Sequence, residues 1–433
     1  MPSVSVIVPV YNSADALQQC LDSVMRSEPD PPAECIVVDD GSTDDSSAIA
    51  RRSGATVLST GGRKGPAFAR NLGAKAARGE ILFFIDADVS VHCDTLERIR
   101  SAFDQDPALD GLIGSYDDSP RSQDFLSQYK NLMHCFTHQT ARRDACTFWS
   151  GCGAIRTPVF IKHSGFEERF TRPAIEDIEL GYRLQQAGRK LMLDSAIQVK
   201  HLKKWTFFNL LKTDILDRGI PWTELILRDS SMPNDLNIQL SQRVSVALVF
   251  LLLFTGAIAA WRWGDVFIVP VFALLLLALG RYWIEGVSPA TSAKASIFIT
   301  LCVLAVAWRA STHGMGALIP LLMVAYFVLF LRHRYAADGT WWRFFSAVLL
   351  ALMVIGGLAV FIYLPKHPLI AAFLLMTVIL IALNNNFYLF LAARRGRLFA
   401  VAAIPFHMLY HFYNGLSFAT GLLKYSWNRF IVR

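Results

Sequence analysis

Glu80-Ile-Leu-Phe-Phe-Ile-Asp-Ala-Asp88 is the stretch on which the fold of the first half of the chain turns. From Ile81 to Ile85 no polar side chain interrupts the run, so it reads as a strand covered on both faces, the habit of parallel sheets. It stops abruptly at two aspartates two residues apart. Working outward, a glycine-rich loop (Gly61, Gly62, Gly65) opens a helix over Pro66–Ala77, and Ala55–Ser59 is a short strand before it. Glu34–Asp39 is another strand, closed by Asp40-Gly41-Ser42-Thr43-Asp44 and a further helix. Ser3–Val10, rich in β-branched residues, leads through Tyr11-Asn12-Ser13 into a helical pattern over Ala14–Met25. Strands alternating with helices predict a doubly wound, Rossmann-like α/β domain with a mainly parallel sheet. Ligands of such sheets bind beyond the carboxyl ends of the strands. The Tyr11 loop, Asp39-Asp40 and Asp86-x-Asp88 all fall at such ends, which predicts one crevice lined by three polar clusters.

Each cluster has a plain structural reading beside the chemical one. Asp86 and Asp88 can share a hard divalent cation that in turn binds a diphosphate; the alternative is a turn leading into the helix near Asp94. The strand context favours the metal. Asp39-Asp40 could cap a helix or accept hydrogen bonds from a base or ribose. Tyr11 could stack on a base or pack at the core edge, and Arg70 could meet a nucleotide or lie solvated on its helix. Glu176-Asp177 could take a proton, but on the residues alone it reads first as an acidic first helical turn complementing the dipole. His201, after the strand-like Ala196–Lys200, is a candidate third metal ligand or a structural histidine. Phe207, Phe208, Leu211 and Ile215 share one helical face interleaved with Lys203, Lys204 and Lys212, which suits a helix on a membrane surface or one packed on the head.

Composition divides the chain near residue 243. Its 433 residues are 53% hydrophobic and 18% charged with a net charge of +7, which excludes a disordered protein and a purely soluble enzyme. The head holds 28 basic and 32 acidic side chains, the tail 14 and 3, so the positive charge belongs to an apolar tail and is no argument for nucleic acid. Apolar runs near 244–261, 266–284, 296–310, 315–331, 344–364 and 369–391 approach the ~20 residues of a membrane-spanning helix. A softer run at 398–423 carries Pro405, His407, His411 and Asn414 and suits an interfacial or re-entrant helix. Basic residues concentrate in alternate loops, which predicts six crossings with the head cytoplasmic, at a bacterial inner membrane. The expected domains are therefore a catalytic head at 1–200, interfacial helices at 201–243 and an all-α membrane domain at 244–433. Seven scattered cysteines without a C-x-x-C pair argue against structural zinc and disulfides. The N-terminus reads as a strand, not a signal peptide.

Val4–Asn12 (VSVIVPVYN), Val38–Asp44 (VDDGSTD), Ala69–Gly73 (ARNLG), Phe84–Asp88 (FIDAD), Ser150–Ala154 (SGCGA), Gly165–Glu167 (GFE) and Ile175–Leu184 (IEDIELGYRL) together resemble the family 2 glycosyltransferases over about the first 230 residues. The resemblance implies a GT-A fold, a nucleotide-sugar donor, a divalent ion (Mg2+ or Mn2+) and inversion at the anomeric carbon. It implies that Pro9, Tyr11, Asn12, Asp39, Asp40 and Arg70 line the nucleotide site, that Asp86 and Asp88 hold the metal and diphosphate, and that Asp177, beside Glu176, is the general base. Processive polysaccharide synthases of the family carry Q-x-x-R-W; this chain has Arg218-Gly219-Ile220-Pro221-Trp222 instead. Transfer of one sugar to a membrane lipid or lipid-linked acceptor is therefore expected, the alternative being a processive synthase that exports its polymer.

Overall fold

β1 (Val4–Val10), β2 (Glu34–Asp39), β3 (Thr56–Ser59) and β4 (Ile81–Ile85) are hydrogen-bonded in the order β3-β2-β1-β4, all parallel, in the computed structural model, which describes residues 1–230, 232–263 and 368–431. Their crossovers are α1 (Ala14–Met25), α2 (Ser46–Arg52) and α3 (Pro66–Ala76). Each strand lies within one residue of the run expected from sequence. Beyond β4 the sheet becomes mixed. β7 (Cys152–Arg156) runs antiparallel to β4, and β6 (Gly111–Tyr116) antiparallel to β7. β8 (Leu191–His201) is parallel to β6, and β5 (Val89–Val91) lies antiparallel against the end of β8.

The pleat sends alternate side chains to opposite faces, and both faces are covered. Val6 and Val8 meet Leu17, Leu21 and Val24 of α1 on one side. Ile7, Leu82 and Phe84 join Phe148, Phe160 and Phe166 on the other, the Phe84 ring lying 5.1 Å from that of Phe166 and 5.2 Å from that of Phe160. All five residues of β4 are fully buried, which explains why the strand reads as an unbroken apolar run. The order β3-β2-β1-β4 makes β1 and β4 neighbours whose connections leave in opposite senses, the topology at whose carboxyl ends such sheets bind ligands. The remaining helices of this half are α4 (Thr95–Gln105), α5 (Phe125–Thr140), α6 (Thr157–Lys162) and α7 (Glu176–Gln186).

After β8 come α8 (Phe207–Lys212), a π-helix (Thr213–Gly219) and α9 (Ile220–Asp229). Leu210 is the buried residue of α8, whereas of the expected apolar face Phe207 and Phe208 are exposed and Leu211 and Ile215 half-buried. The described residues beyond are α10 (Leu240–Trp263), α11 (Pro368–Leu383), α12 (Asn385–Arg395) and α13 (Arg397–Ile431). They divide the chain differently from a single boundary at 243: one unit takes in 389–396 and 410–431 with the head, and the other holds 244–263, 368–388 and 397–409.

Among the described residues one helix, Leu240–Ile258, is long and apolar enough to cross a membrane. The run expected as one crossing at 369–391 contains a pair of helices, Leu375–Leu383 and Asn385–Arg395, bent by 63° and together long and apolar enough for one broken span. The bend falls at Asn384, whose side-chain amide donates to Ser245 Oγ and to the Leu380 carbonyl, both at 2.9 Å. The run at 398–423 lies within α13, a single helix that extends beyond it at both ends. The expected crossings at 266–284, 296–310, 315–331 and 344–364 lie outside the described residues.

Candidate active site

Arg70 is not on a solvated face. It sits one turn into α3, 4% exposed. Its Nη2 pairs with Asp86 Oδ1 at 2.7 Å and its Nη1 with Glu176 Oε1 at 2.9 Å. One guanidinium thus ties the end of β4 to the first turn of α7. Burial works against the Arg70 charge, but Asp86 and Glu176 outweigh it and push its pKa up. Glu176, 3% exposed, also accepts from the Ala174 N–H at 2.9 Å. Burial raises its pKa, with Arg70 opposing. Glu176 is therefore the buried partner of Arg70 rather than an open carboxylate beside the chemistry.

Asp177, the next residue of α7, is partly exposed. Its Oδ2 accepts from both the N–H and the Oγ of Ser150 at 3.1 Å, and its Oδ1 from the Ile178 N–H at 2.8 Å. Neutral donors in the first turn of α7 and at Ser150 hold this carboxylate in one orientation. The orienting Ser150 lies in the Ser150–Ala154 motif, but its pairing with a residue 27 positions later leaves no trace in local spacing.

Asp88 leads into β5, and its backbone carbonyl accepts from Leu202 N–H, bringing His201 alongside. His201 Nε2 stands 3.8 Å from Asp88 Oδ2. The other ring nitrogen, Nδ1, lies 2.5 Å from Asn131 Oδ1 of α5, and the ring stacks on Tyr116 with centroids 4.3 Å apart. Burial, aided by Lys203, lowers the His201 pKa to about 3, so the imidazole is neutral. With the Asn131 oxygen taking the Nδ1 proton, Nε2 keeps its lone pair toward Asp88. Among the described residues no group of three or more His, Cys, Asp and Glu forms a metal cage. The donors nonetheless suit a hard divalent cation that shares its shell with a phosphate: two partly exposed carboxylates and one neutral imidazole, with one Asp86 oxygen already committed to Arg70.

At the other strand ends, Asp40 is closed in. It accepts from Thr60 Oγ1 at 3.0 Å, the Lys64 N–H at 2.8 Å and the Gly65 N–H at 2.8 Å. It fixes the glycine-rich loop to the end of β2. Gly65 there has φ +98°, and a Cβ on it would meet the Thr171 backbone at 2.6 Å. Asp39 Oδ1 accepts from the Ser42 N–H at 2.9 Å. Asn12, at φ 48°, receives the Thr43 N–H on Oδ1 at 2.7 Å and so pins the Tyr11 loop to the Ser42-Thr43 turn. Tyr11 is 40% exposed with the Arg63 guanidinium 4.3 Å above its ring. Pro9 lies inside β1 opposite Val38. Trp222, in the Arg218–Trp222 segment, donates its Nε1 proton to Tyr182 Oη of α7 at 3.2 Å.

The family model described as Glycosyl transferase family 2 matches residues 5–168. Glycosyltransferase AglE of Haloferax volcanii is 40% identical over 104 residues, 23% of this chain and 34% of that protein. The poly(ribitol-phosphate) beta-glucosyltransferase of Bacillus spizizenii is 35% identical over 102 residues, 22% of this chain and 16% of that protein. The chain thus spans about a third or less of the length of these relatives. Mannosyltransferase PcManGT from Pyrobaculum calidifontis, solved with GDP-Man and Mn2+, aligns over 89% of this chain and 86% of that one at 18% identity, with a TM-score of 0.38.

Proposed function

Starting from residues 5–168 as a family 2 glycosyltransferase domain, we propose that the chain is a membrane-bound inverting glycosyltransferase that moves one sugar from a nucleoside-diphosphate sugar, a UDP-sugar by preference, to a lipid or lipid-linked acceptor. The observation that carries this reading is the Arg70 bridge: one buried guanidinium holds the Asp86 end of β4 against the α7 turn that presents Asp177. The diphosphate side and the proton-accepting side of a displacement are thereby fixed to each other.

In this reading Tyr11 and Asp39 face the nucleoside, while Asp40 and Asn12 shape the loops around it. Asp86, Asp88 and His201 would hold a Mg2+ or Mn2+ ion, which when bound supplies positive charge for the departing diphosphate. Asp177 takes the proton of the acceptor hydroxyl as its oxygen attacks the anomeric carbon from the face opposite the leaving group. One C–O bond forms, the bond from the anomeric carbon to the phosphate oxygen breaks, and the nucleoside diphosphate leaves with that electron pair. Ser150 keeps Asp177 aligned throughout. The exposed Phe207 and Phe208, flanked by Lys203, Lys204 and Lys212, and the apolar helix Leu240–Ile258 support a head held at a membrane surface, with the head on the cytoplasmic side.

The test is consumption of a panel of UDP-, GDP- and dTDP-sugars, with and without Mn2+, by membranes carrying the wild type or Asp177→Asn. Metal-dependent use of one donor with a lipid-extractable product, lost in Asp177→Asn, is expected. Long polymer would replace the single-sugar reading by the processive one. Unchanged turnover in Asp177→Asn would remove Asp177 from the mechanism.

A further inference from the structure

Tyr413 lies on α13, within a stretch whose sequence is too polar for an ordinary membrane crossing. Its hydroxyl donates to Asp214 Oδ2 at 2.5 Å. Asp214 sits on the π-helix and also receives Lys130 Nζ of α5 on both oxygens, at 2.9 and 2.6 Å. All three lie in the head unit and all are buried. A buried ion pair loses much hydration, and it holds only where further hydrogen bonds serve its remaining lone pairs. Here the Tyr413 hydroxyl is the third donor to the carboxylate, a charge-assisted bond of the strong class. A π-helix, which costs helical regularity, is often found at functional sites.

Lys130 has a neighbour with a different duty. Asn131, 1% exposed, receives the imidazole Nδ1 of His201 at 2.5 Å and the indole Nε1 of Trp205 at 3.4 Å on its single side-chain oxygen. Consecutive residues of α5 are thus anchored in opposite directions, one to α13 through Asp214 and the other to the histidine facing Asp88. The seam between α13 and the helices beside the π-helix is tight. A Cβ on Gly421 would meet Thr223 Cβ at 2.6 Å, and one on Gly219 would meet Ser417 Cβ at 2.6 Å. Lys424 closes the same seam onto Glu224 at 3.0 Å.

We infer that Tyr413 is a positioning residue for the active site: through Asp214, Lys130 and Asn131 it sets the place of His201 beside Asp88, so that the C-terminal helix is a working part of the catalytic head. This rests on the function proposed above, in which Asp88 and His201 face the metal and diphosphate. Close-packed interiors pass on displacements instead of absorbing them. Losing the hydroxyl, or wedging α13 away from α9, therefore shifts α5 and with it the His201 ring.

The experiment uses the full chain in detergent, as wild type, Tyr413→Phe and Gly421→Ala. The second variant disturbs the seam without touching the ion pair, which keeps the inference testable if Tyr413→Phe folds poorly. Mn2+ alone is titrated by electron paramagnetic resonance, donor KM and kcat are measured separately, and hydrogen exchange is followed over α5 and the end of β8. Both variants are expected to weaken Mn2+ binding roughly 2- to 30-fold, the range for residues along a coupled network, with a matching rise in donor KM and faster exchange at 125–140 and 198–202. A folded variant with wild-type Mn2+ affinity, KM and exchange would overturn the inference. If wild type neither binds Mn2+ nor consumes a donor, the proposed function fails. The exchange comparison then decides the inference alone, since an unaltered α5 overturns it and a loosened α5 sustains the link from Tyr413 to His201.

Discussion

Replacing Arg70 with methionine separates two roles that the same residue could have. If Arg70 gripped a nucleotide, Arg70→Met would raise the donor KM and leave stability nearly untouched. As the bridge between Asp86 and Glu176, its loss strands Glu176, which is 3% exposed and has no other cation bonded to it among the described residues. Asp86 contributes little, because its side chain is 35% exposed and water screens it. Glu176 can escape by taking up a proton, and that escape sets a ceiling. Holding a carboxyl neutral at pH 7, against an ordinary pKa of about 4.3, costs about 1.4 kcal/mol per pH unit, or about 3.7 kcal/mol. This agrees with the ~3–5 kcal/mol typical of removing one partner of a buried pair. The cost should shrink by about 1.4 kcal/mol for each unit the pH is lowered toward 4.3, since the stranded carboxyl is protonated in the folded variant and ionised in the unfolded chain. Urea unfolding of the head, followed by fluorescence at pH 7, 6 and 5, measures both the size and the slope. A loss under about 1 kcal/mol at pH 7, or one independent of pH, would refute the bridge. Adding Glu176→Leu to Arg70→Met should recover most of the stability, because no charge is then left buried.

Two further outcomes follow from the same geometry. Burial lowers the His138 pKa to about 4, so between pH 6.5 and 4 the unfolded chain binds a proton that the folded chain refuses. Stability should fall with falling pH across that window by up to about 1.4 kcal/mol per unit from this group, and His138→Phe should flatten the slope in acid unfolding titrations. Gly65→Ala forces a side chain into φ +98° and against the Thr171 backbone. It should cost about 2 kcal/mol or more in thermal unfolding, whereas Gly54→Ala, with open space around it, should cost only the backbone part.

The parallel half of the sheet was legible because its signals are local: β4 is apolar on both faces, and Tyr11, Asp39 and Asp86 each end a strand. The first turn of α7 was legible as acidic for the same reason. What the sequence withheld were the partners. Nothing near Arg70 says that its counter-charges are Asp86 and Glu176, and nothing near Asp40 says that the N–H groups of Lys64 and Gly65 will fill it. In both cases the decisive contact spans loops whose path depends on the finished fold. Composition also misled at the tail. The change at residue 243 is real, yet 410–431 belongs to the head because the Tyr413 hydroxyl and Gly421 fit it, and hydropathy does not weigh a single hydroxyl or a missing Cβ. Nor does the apolar run at 369–391 show the 63° bend at Asn384, where the side chain bonds Ser245.

The head is discontinuous along the chain, and this gives its manufacture a schedule. Lys130 and Asp214 leave the ribosome long before Tyr413, Asp214 by 199 residues, and at about 5–20 residues per second that interval is roughly 10–40 s. Throughout that time the catalytic half holds a buried lysine and aspartate without the hydroxyl that completes their bonding. A nascent chain that stops short of Tyr413 therefore lacks the hydroxyl that donates to Asp214. Full bonding of the Lys130–Asp214 pair thus waits for the synthesis of Tyr413.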